Sequence, residues 1–388
     1  MSTWAAVRIA LMVAVVASLC GTGGGGLALA ASDDPLPART IELRERVFGA
    51  ANVDHATGTV RPDRVIFGWL GVSSFAAAID GHIVLLDAYV HRGPRSRYVP
   101  LTVNDVADLA PERIYMGHGH YDHIGDIDQI AERSGALLVG TAEHCSTLRA
   151  RRAAAGTSAP APDCLALMSA AAPAGTVVTT PPLGATQVLA VRNPHSAFAL
   201  PAGGARPFIP NINLATVLRG AAVDAGVPDP STLLCGLLRG RLPAGVPIPA
   251  PVGGRYPEGG TLLYHFKVGD FSFVWNDSAA PLRERGRALT PVLKSLAPID
   301  LQLGAVYTVN MLTNGFRDTR DYLTALRPQV FVPTHHDILG SGRSAHAPLL
   351  RELDRIGPGT RPELRFLSDP TDYARPDPLT FTVAAAEP

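Results

Sequence analysis

The sequence predicts an α/β fold whose two halves each open with an antiparallel hairpin and continue into helices and further strands. Three observations carry this reading. Apolar runs of strand length recur along the chain, two pairs of them are joined by the turn dipeptides Asp80-Gly81 and Gly269-Asp270, and the segments between carry helical spacing that ends at glycine. The repeated order of hairpin and then helix suggests a duplicated plan, although no repeat is legible residue by residue.

Taken in order, VIFGWL (Val65 to Leu70), SFAAAI (Ser74 to Ile79) and HIVLLDAYV (His82 to Val90) read as the first strands. A short helix near Asn104 to Leu109 precedes Pro111, and the strand RIYM then delivers the chain into His118. DIDQIAERSG has helical spacing with Gly135 as its stop, and ALLVGT reads as the next strand. In the second half, TLLYHFKV and FSFVW form a hairpin that ends at Asn276-Asp277, and PQVFVP is a strand that ends at Thr334-His335.

A chain of 388 residues, 46% of them hydrophobic, can bury a sizeable core. Its formal net charge of zero offers no basic field for a polynucleotide, so no nucleic-acid partner is expected. The first thirty residues read as a cleaved leader: Arg8, the apolar run IALMVAVVASLCG and the small-x-small ALA at Ala28 to Ala30 give a mature start at Ala31. The expectation is export to the cell envelope or medium, with no stable membrane span in the mature protein. Anchoring through Cys20 is the weaker alternative, because Leu19 stands where a lipobox has Gly or Ala. Of the remaining cysteines, Cys145 and Cys164 could close the Pro/Ala-rich loop between them and leave Cys235 over; three unpaired buried thiols is the other reading.

The densest chemistry is MGHGHYDHIGD, Met116 to Asp126, in a turn between a strand and a helix. His118 and His120 alternate around Gly119, so both imidazoles can converge on one point. Asp122 and His123 fall at the start of the following helix and can converge on a second point close by. Imidazole and carboxylate suit zinc, and also iron or manganese.

These residues resemble the HxHxDH signature of the metallo-β-lactamase fold superfamily. IVLLDAYV resembles the early strand ending in a structural aspartate, here Asp87; VLAVRNPH resembles the strand before the third histidine, here His195. FSFVWNDS resembles the strand carrying the bridging aspartate, here Asp277, and FVPTHHD resembles the Pro-x-His close of the second site, here His335 in preference to His336. The resemblance runs from Val65 to Asp337, and the opening WLGVSSFAAAIDGHIVLLDA looks closest to the lactonase-like and phospholipase-like branch. It implies a four-layer αββα sandwich of two mixed sheets with helices on the outer faces. It also implies two divalent ions, zinc ahead of iron or manganese. The first would be held by His118, His120 and His195, the second by Asp122, His123 and His335, with Asp277 shared, although a strand-end Asp277 could instead cap a helix. The domain plan that follows is a leader at 1–30, an N-terminal extension at 31–60 and the sandwich at 61–388.

The chemistry implied is hydrolysis of an ester, lactone or phosphodiester by a metal-bridging hydroxide that Asp122 orients, without a serine or cysteine nucleophile. The alternative is an iron oxidoreductase, dioxygenase-like, on the same fold. A Pro/Gly-rich insertion at about 200–260 would act as lid or substrate wall, and its apolar character favours a small, partly hydrophobic substrate. Tyr307, Asn310, Asn314 and Arg317 are further candidates for substrate contact. His82, His91, His144, His265 and His346 have no sequence partners and read as surface or packing residues.

Overall fold

Strands β1 (Arg64–Gly71), β2 (Ser74–Ile79), β3 (His82–Leu86), β4 (Arg113–Tyr115), β5 (Leu137–Thr141) and β6 (Cys164–Met168) lie side by side in chain order in one sheet, and β14 (Thr380–Thr382) returns to pair with β1. A second sheet holds β7 (Val177–Thr179), β8 (Gln187–Asn193), β9 (Thr261–Val268), β10 (Phe271–Asn276), β11 (Ile299–Ala305), β12 (Pro328–Thr334) and β13 (Glu363–Leu364). The structure is a computed structural model that describes residues 36–91, 100–157, 160–196, 258–308, 310–337, 343–367 and 372–384. The leader, Ala31, Cys20, Cys235 and all but the last residues of the 200–260 insertion lie outside the described residues.

Pairing in the two sheets follows one pattern. From the β14 edge the first sheet has three antiparallel pairings and then three parallel ones; from the β7 edge the second has the same succession. The duplicated plan suggested by the sequence is therefore visible in topology. The hairpin signals act as expected: Asp80 (φ 53°) and Gly81 (φ 79°) both take positive φ, as a type I′ turn needs, and Gly269 (φ 56°) does so between β9 and β10.

Alternate residues of each sheet face the space between them. Val65, Phe67, Trp69 and Phe75 meet Phe266, Phe273 and Trp275 in the central core, with Phe67 edge-on to Phe273 at 5.0 Å between centroids. The other face of the first sheet, with Ile66, Leu70, Ile83, Leu85 and Ile114, is covered by helices α1 (Ala38–Phe48), α2 (Val103–Asp108), α3 (Tyr121–Ile124), α4 (Ile127–Ser134) and α5 (Ala142–Ala154). The outer face of the second sheet is covered by α6 (Leu282–Arg285), α7 (Leu289–Leu296), α8 (Met311–Asn314), α9 (Arg317–Leu326) and α10 (Arg343–Leu353). This is the four-layer αββα arrangement the sequence led us to expect. Burial on both faces explains why β1 to β3 read as continuous apolar runs and not as alternating ones. Residues 38–48, placed by the sequence in an extension, form α1, and Gly68 admits it: a Cβ there would come within 2.6 Å of Val47 Cγ1.

Candidate metal centre

Four of the expected ligands sit just past the carboxyl end of a strand, along one edge of the sandwich: His118 after β4, His195 after β8, Asp277 after β10 and His335 after β12. The MGHGHYDHIGD turn is fixed to the second sheet by its own backbone. Gly119 N–H donates to the Glu258 carbonyl at 2.7 Å, and Leu262 N–H donates to the Gly117 carbonyl at 2.7 Å. Gly117 is required by close approach, since a Cβ there would lie 2.0 Å from Asp277 Oδ2. His120 is the N-cap of α3, so Asp122 and His123 fall in its first turn; Arg151 closes that turn by donating to the carbonyls of Ile124 and Gly125, both at 3.0 Å.

The seven side chains converge in three overlapping groups: His118 with His120 and His195, Asp122 with His123 and His335, and His118 with His123 and Asp277. In each, one ligand atom per residue lies within 4.8 Å of the others. Asp277 therefore stands between the two trios. Outer contacts set which ring nitrogen points inward. His118 Nδ1–H donates to Asp277 Oδ2 at 2.5 Å, which leaves Nε2 facing His120 Nδ1 at 3.0 Å. His195 Nδ1–H donates to the Ser196 carbonyl at 2.8 Å. His123 Nδ1–H donates to Asp87 Oδ2 at 2.7 Å, and its Nε2 lies 3.1 Å from His335 Nε2, which is itself 3.1 Å from Asp122 Oδ2.

The electrostatics suit cation binding. Burial, reinforced by the neighbouring imidazoles, holds His118 well below the ordinary histidine range; burial likewise lowers His120 and His123, and brings His195 down to about 3. All four are thus neutral, with lone pairs to give. Burial raises Asp122, but His123 and His335 outweigh it and hold the carboxyl below the usual range, so it stays ionised. Burial and the neighbouring carboxylates push Asp87 and Asp277 up. Asp277 Oδ1 is buried without a hydrogen-bond partner. A divalent cation satisfies that oxygen and the converging nitrogens, and this donor set fits zinc, iron or manganese.

The two histidines of FVPTHHD part company in space. His335 joins the cluster, whereas His336 is fully buried between Trp69 (5.3 Å between centroids) and Phe366 (4.6 Å), and its Nε2–H donates to the Leu367 carbonyl. Asn310 and Asn314, proposed from the sequence as substrate contacts, both donate to Asp318, and Arg317 pairs with Asp318 and Glu284; Tyr307 is buried against Phe316. They hold the helix layer. His144 is buried in a capping box and donates to the Gly260 carbonyl, and His82 pairs with Glu112. Cys145 and Cys164 form a disulfide that ties α5 to β6, with Cα atoms 5.8 Å apart.

Sequence reasoning named Asp87 but missed other residues that hold the ligands. Ser73 Oγ lies 2.9 Å from His123 Nδ1 and 3.2 Å from Asp87 Oδ2; it is fully buried, so it orients and does not attack. Asn193 accepts from Tyr322 and donates to the Ser278 carbonyl, fixing the approach to His195. Asp126 accepts from the backbone of Val90 and His91. Asp126 and Asp337 each end a quoted motif, which was the available signal; nothing local marks Ser73 or Tyr322.

No family model matches the chain. A UPF0173 metal-dependent hydrolase of Methanopyrus kandleri is 39% identical over 75 residues, 19% of this chain and 30% of that protein. One from Methylocella silvestris is 34% identical over 87 residues, 22% and 35% of the two chains. The chain thus spans about a third of the length of these curated relatives. Among solved structures, Igni18, a metallo hydrolase of Ignicoccus hospitalis, aligns with a TM-score of 0.47 at 13% identity over 83% of this chain and 100% of that one. Zinc-bound PqqB from Methylobacterium extorquens aligns at 0.43 and 11%, over 82% and 100%.

Proposed function

We propose that this chain, a member of the metallo-β-lactamase fold superfamily by its sandwich and its histidine-aspartate turn, is a metal-dependent hydrolase acting on an ester, lactone or phosphodiester bond of a small, partly hydrophobic molecule. The observation that carries the reading is the convergence of seven ligand-type side chains, from both halves of the chain, on one edge of the sandwich. Two divalent ions, zinc in the first place, would supply there a water acidified towards neutral pH and an electrophile for the oxygen that gains charge. His118, His120 and His195 would hold one ion and Asp122, His123 and His335 the other, with Asp277 between. The protein's own part is geometric: Asp87 and the Ser196 carbonyl fix ring tautomers, and Asp122, ionised, is placed to orient the attacking water. The matched relatives are named metal-dependent hydrolases, which supports the same class.

Export belongs to the proposal. The Cys145–Cys164 bridge favours an oxidising compartment, and among the described residues no helix is long and apolar enough to cross a membrane. The test is metal analysis of the purified protein together with turnover of lactone, carboxylester, phosphodiester and β-lactam panels before and after chelation. Close to two metals per chain and chelator-sensitive turnover are expected. Equal turnover by the metal-free protein would overturn the reading.

A further inference from the structure

Three residues other than glycine adopt left-handed backbone conformations around the second trio: Val72 (φ 50°), Asp87 (φ 53°) and His335 (φ 64°). Val72 is the most unusual, because a β-branched side chain is a genuine outlier at positive φ. Such a conformation persists only where the surroundings over-determine it. Around Val72 the determinants form a closed circuit. Its N–H donates to Asp337 Oδ1 at 2.9 Å, and its carbonyl accepts from the His335 N–H at 2.8 Å and from Trp69 Nε1–H at 3.2 Å. Asp337, two residues beyond His335, uses its other oxygen to accept from the Tyr373 hydroxyl at 2.8 Å. Tyr373 stacks on Trp69 with ring centroids 4.5 Å apart, which closes the circuit through the core. The β1–β2 turn, the end of β12 and the segment after β13 meet here.

We infer that Asp337 is a positioning residue for the second metal, acting through Val72 on His335. The carboxylate takes one donor on each oxygen and so clamps the β1–β2 turn in its left-handed form. The clamped turn presents the Val72 carbonyl to the His335 N–H, and that bond fixes the backbone from which the His335 imidazole reaches Asp122 and His123. Removing the carboxylate removes the clamp, whereas an amide could still accept from Val72 N–H and donate to the Tyr373 hydroxyl, so alanine and not asparagine is the variant that tests it. The inference rests on the two-metal reading above.

The experiment is zinc titration against a chromophoric chelator, on native protein and on Asp337→Ala, Tyr373→Phe and Asp337→Ala/Val72→Gly, with thermal melts as the folding control. In Asp337→Ala the first zinc should bind as in native protein and the second about ten- to a hundredfold more weakly, the usual scale for lost support behind a ligand. Adding Val72→Gly should restore most of that loss, because glycine takes positive φ without the clamp. A merely structural aspartate gives two additive losses instead, and that result overturns the inference. So does second-site affinity in Asp337→Ala equal to native. Should Asp337→Ala fail to fold, Tyr373→Phe, which removes the hydroxyl donor to Asp337, carries the test: a weakened second zinc supports the inference and an unchanged one overturns it. Native protein that binds fewer than two zinc ions refutes the two-metal reading itself, and shows up before any variant is compared.

Discussion

The first trio, His118, His120 and His195, takes part of its support from its own stretch of chain, where a glycine-spaced turn places two rings and the Ser196 carbonyl fixes the third, and part from Asp277 and the Glu258 carbonyl across the site. The second trio depends on residues remote in sequence. His123 is oriented by Asp87 and Ser73, 36 and 50 residues away, and the backbone of His335 is held by Val72 across the sandwich. Local support needs only the right few residues in a row. Long-range support needs the whole fold, and it is built from strained positions and buried carboxylates, so the second half-site should be the more fragile.

The largest effect tests whether the two trios are separable at all. Asp277 stands between them, and Asp277→Ala should lower occupancy at both sites and turnover by more than about a hundredfold, beyond the usual cost of losing an outer partner. Loss confined to one metal, measured by metal analysis beside turnover, would mean Asp277 serves a single site.

Next comes the pair at 335 and 336. His335→Ala should remove most of one metal equivalent and lower turnover by about two orders of magnitude or more, while the first site stays loaded. His336→Ala should keep both metals and lose about 2–4 kcal/mol of stability in a denaturant titration, because it empties a stacked position in the core. The reverse pattern would move the ligand by one residue.

A smaller and more selective effect is expected from Asp87→Asn. Asp87 Oδ2 orients His123 and its Oδ1 accepts from Gly117 N–H beside His118, so the change should weaken the second metal by about ten- to a hundredfold and the first by less. Equal weakening of both, in a competition titration, would erase the contrast between the half-sites.

The smallest effect concerns His144, which holds the segment whose Glu258 carbonyl accepts from Gly119 in the first trio's turn. His144 Nε2–H donates to the Gly260 carbonyl and its Nδ1 accepts from Thr141 N–H, so the ring is neutral, and burial brings its pKa from 6.5 down to about 4. The unfolded chain therefore binds a proton here that the folded chain refuses between those values. Stability is whole above pH 6.5 and falls as the pH drops towards 4, by about 3 kcal/mol at most. His144→Gln keeps a residue that can complete the capping box but cannot titrate. Denaturation of metal-free protein between pH 7.5 and 4.5 should show a shallower dependence in that variant; parallel curves would remove His144 from the account.

Much of the site was legible because metal chemistry demands donors at tight spacing. His118, His120, Asp122 and His123 announce themselves within six residues. The hairpins at Asp80-Gly81 and Gly269-Asp270 were legible for a similar reason, since their dihedrals are affordable only to a few residue types. His195, Asp277 and His335 came through resemblance, because each stands alone in its own segment and only pairing of the strands brings it to the shared edge. Asn310, Asn314 and Arg317 were candidates for substrate contact because they lie ahead of the last ligand in the chain; in the structure all three bond to Asp318.

What the sequence determined by itself was therefore local: strand lengths, turn types, helix stops and the four donors of one turn, all set by interactions within a few residues. What only the tertiary structure decided was where His336 goes, which nitrogen each ring turns inward, and that Val72, Ser73 and Asp337 stand behind the second trio beside Asp87. Those choices depend on contacts between segments far apart in the chain, such as Val72 with Asp337, 265 residues away. No local pattern can encode them, because the partners become neighbours only when both sheets have formed.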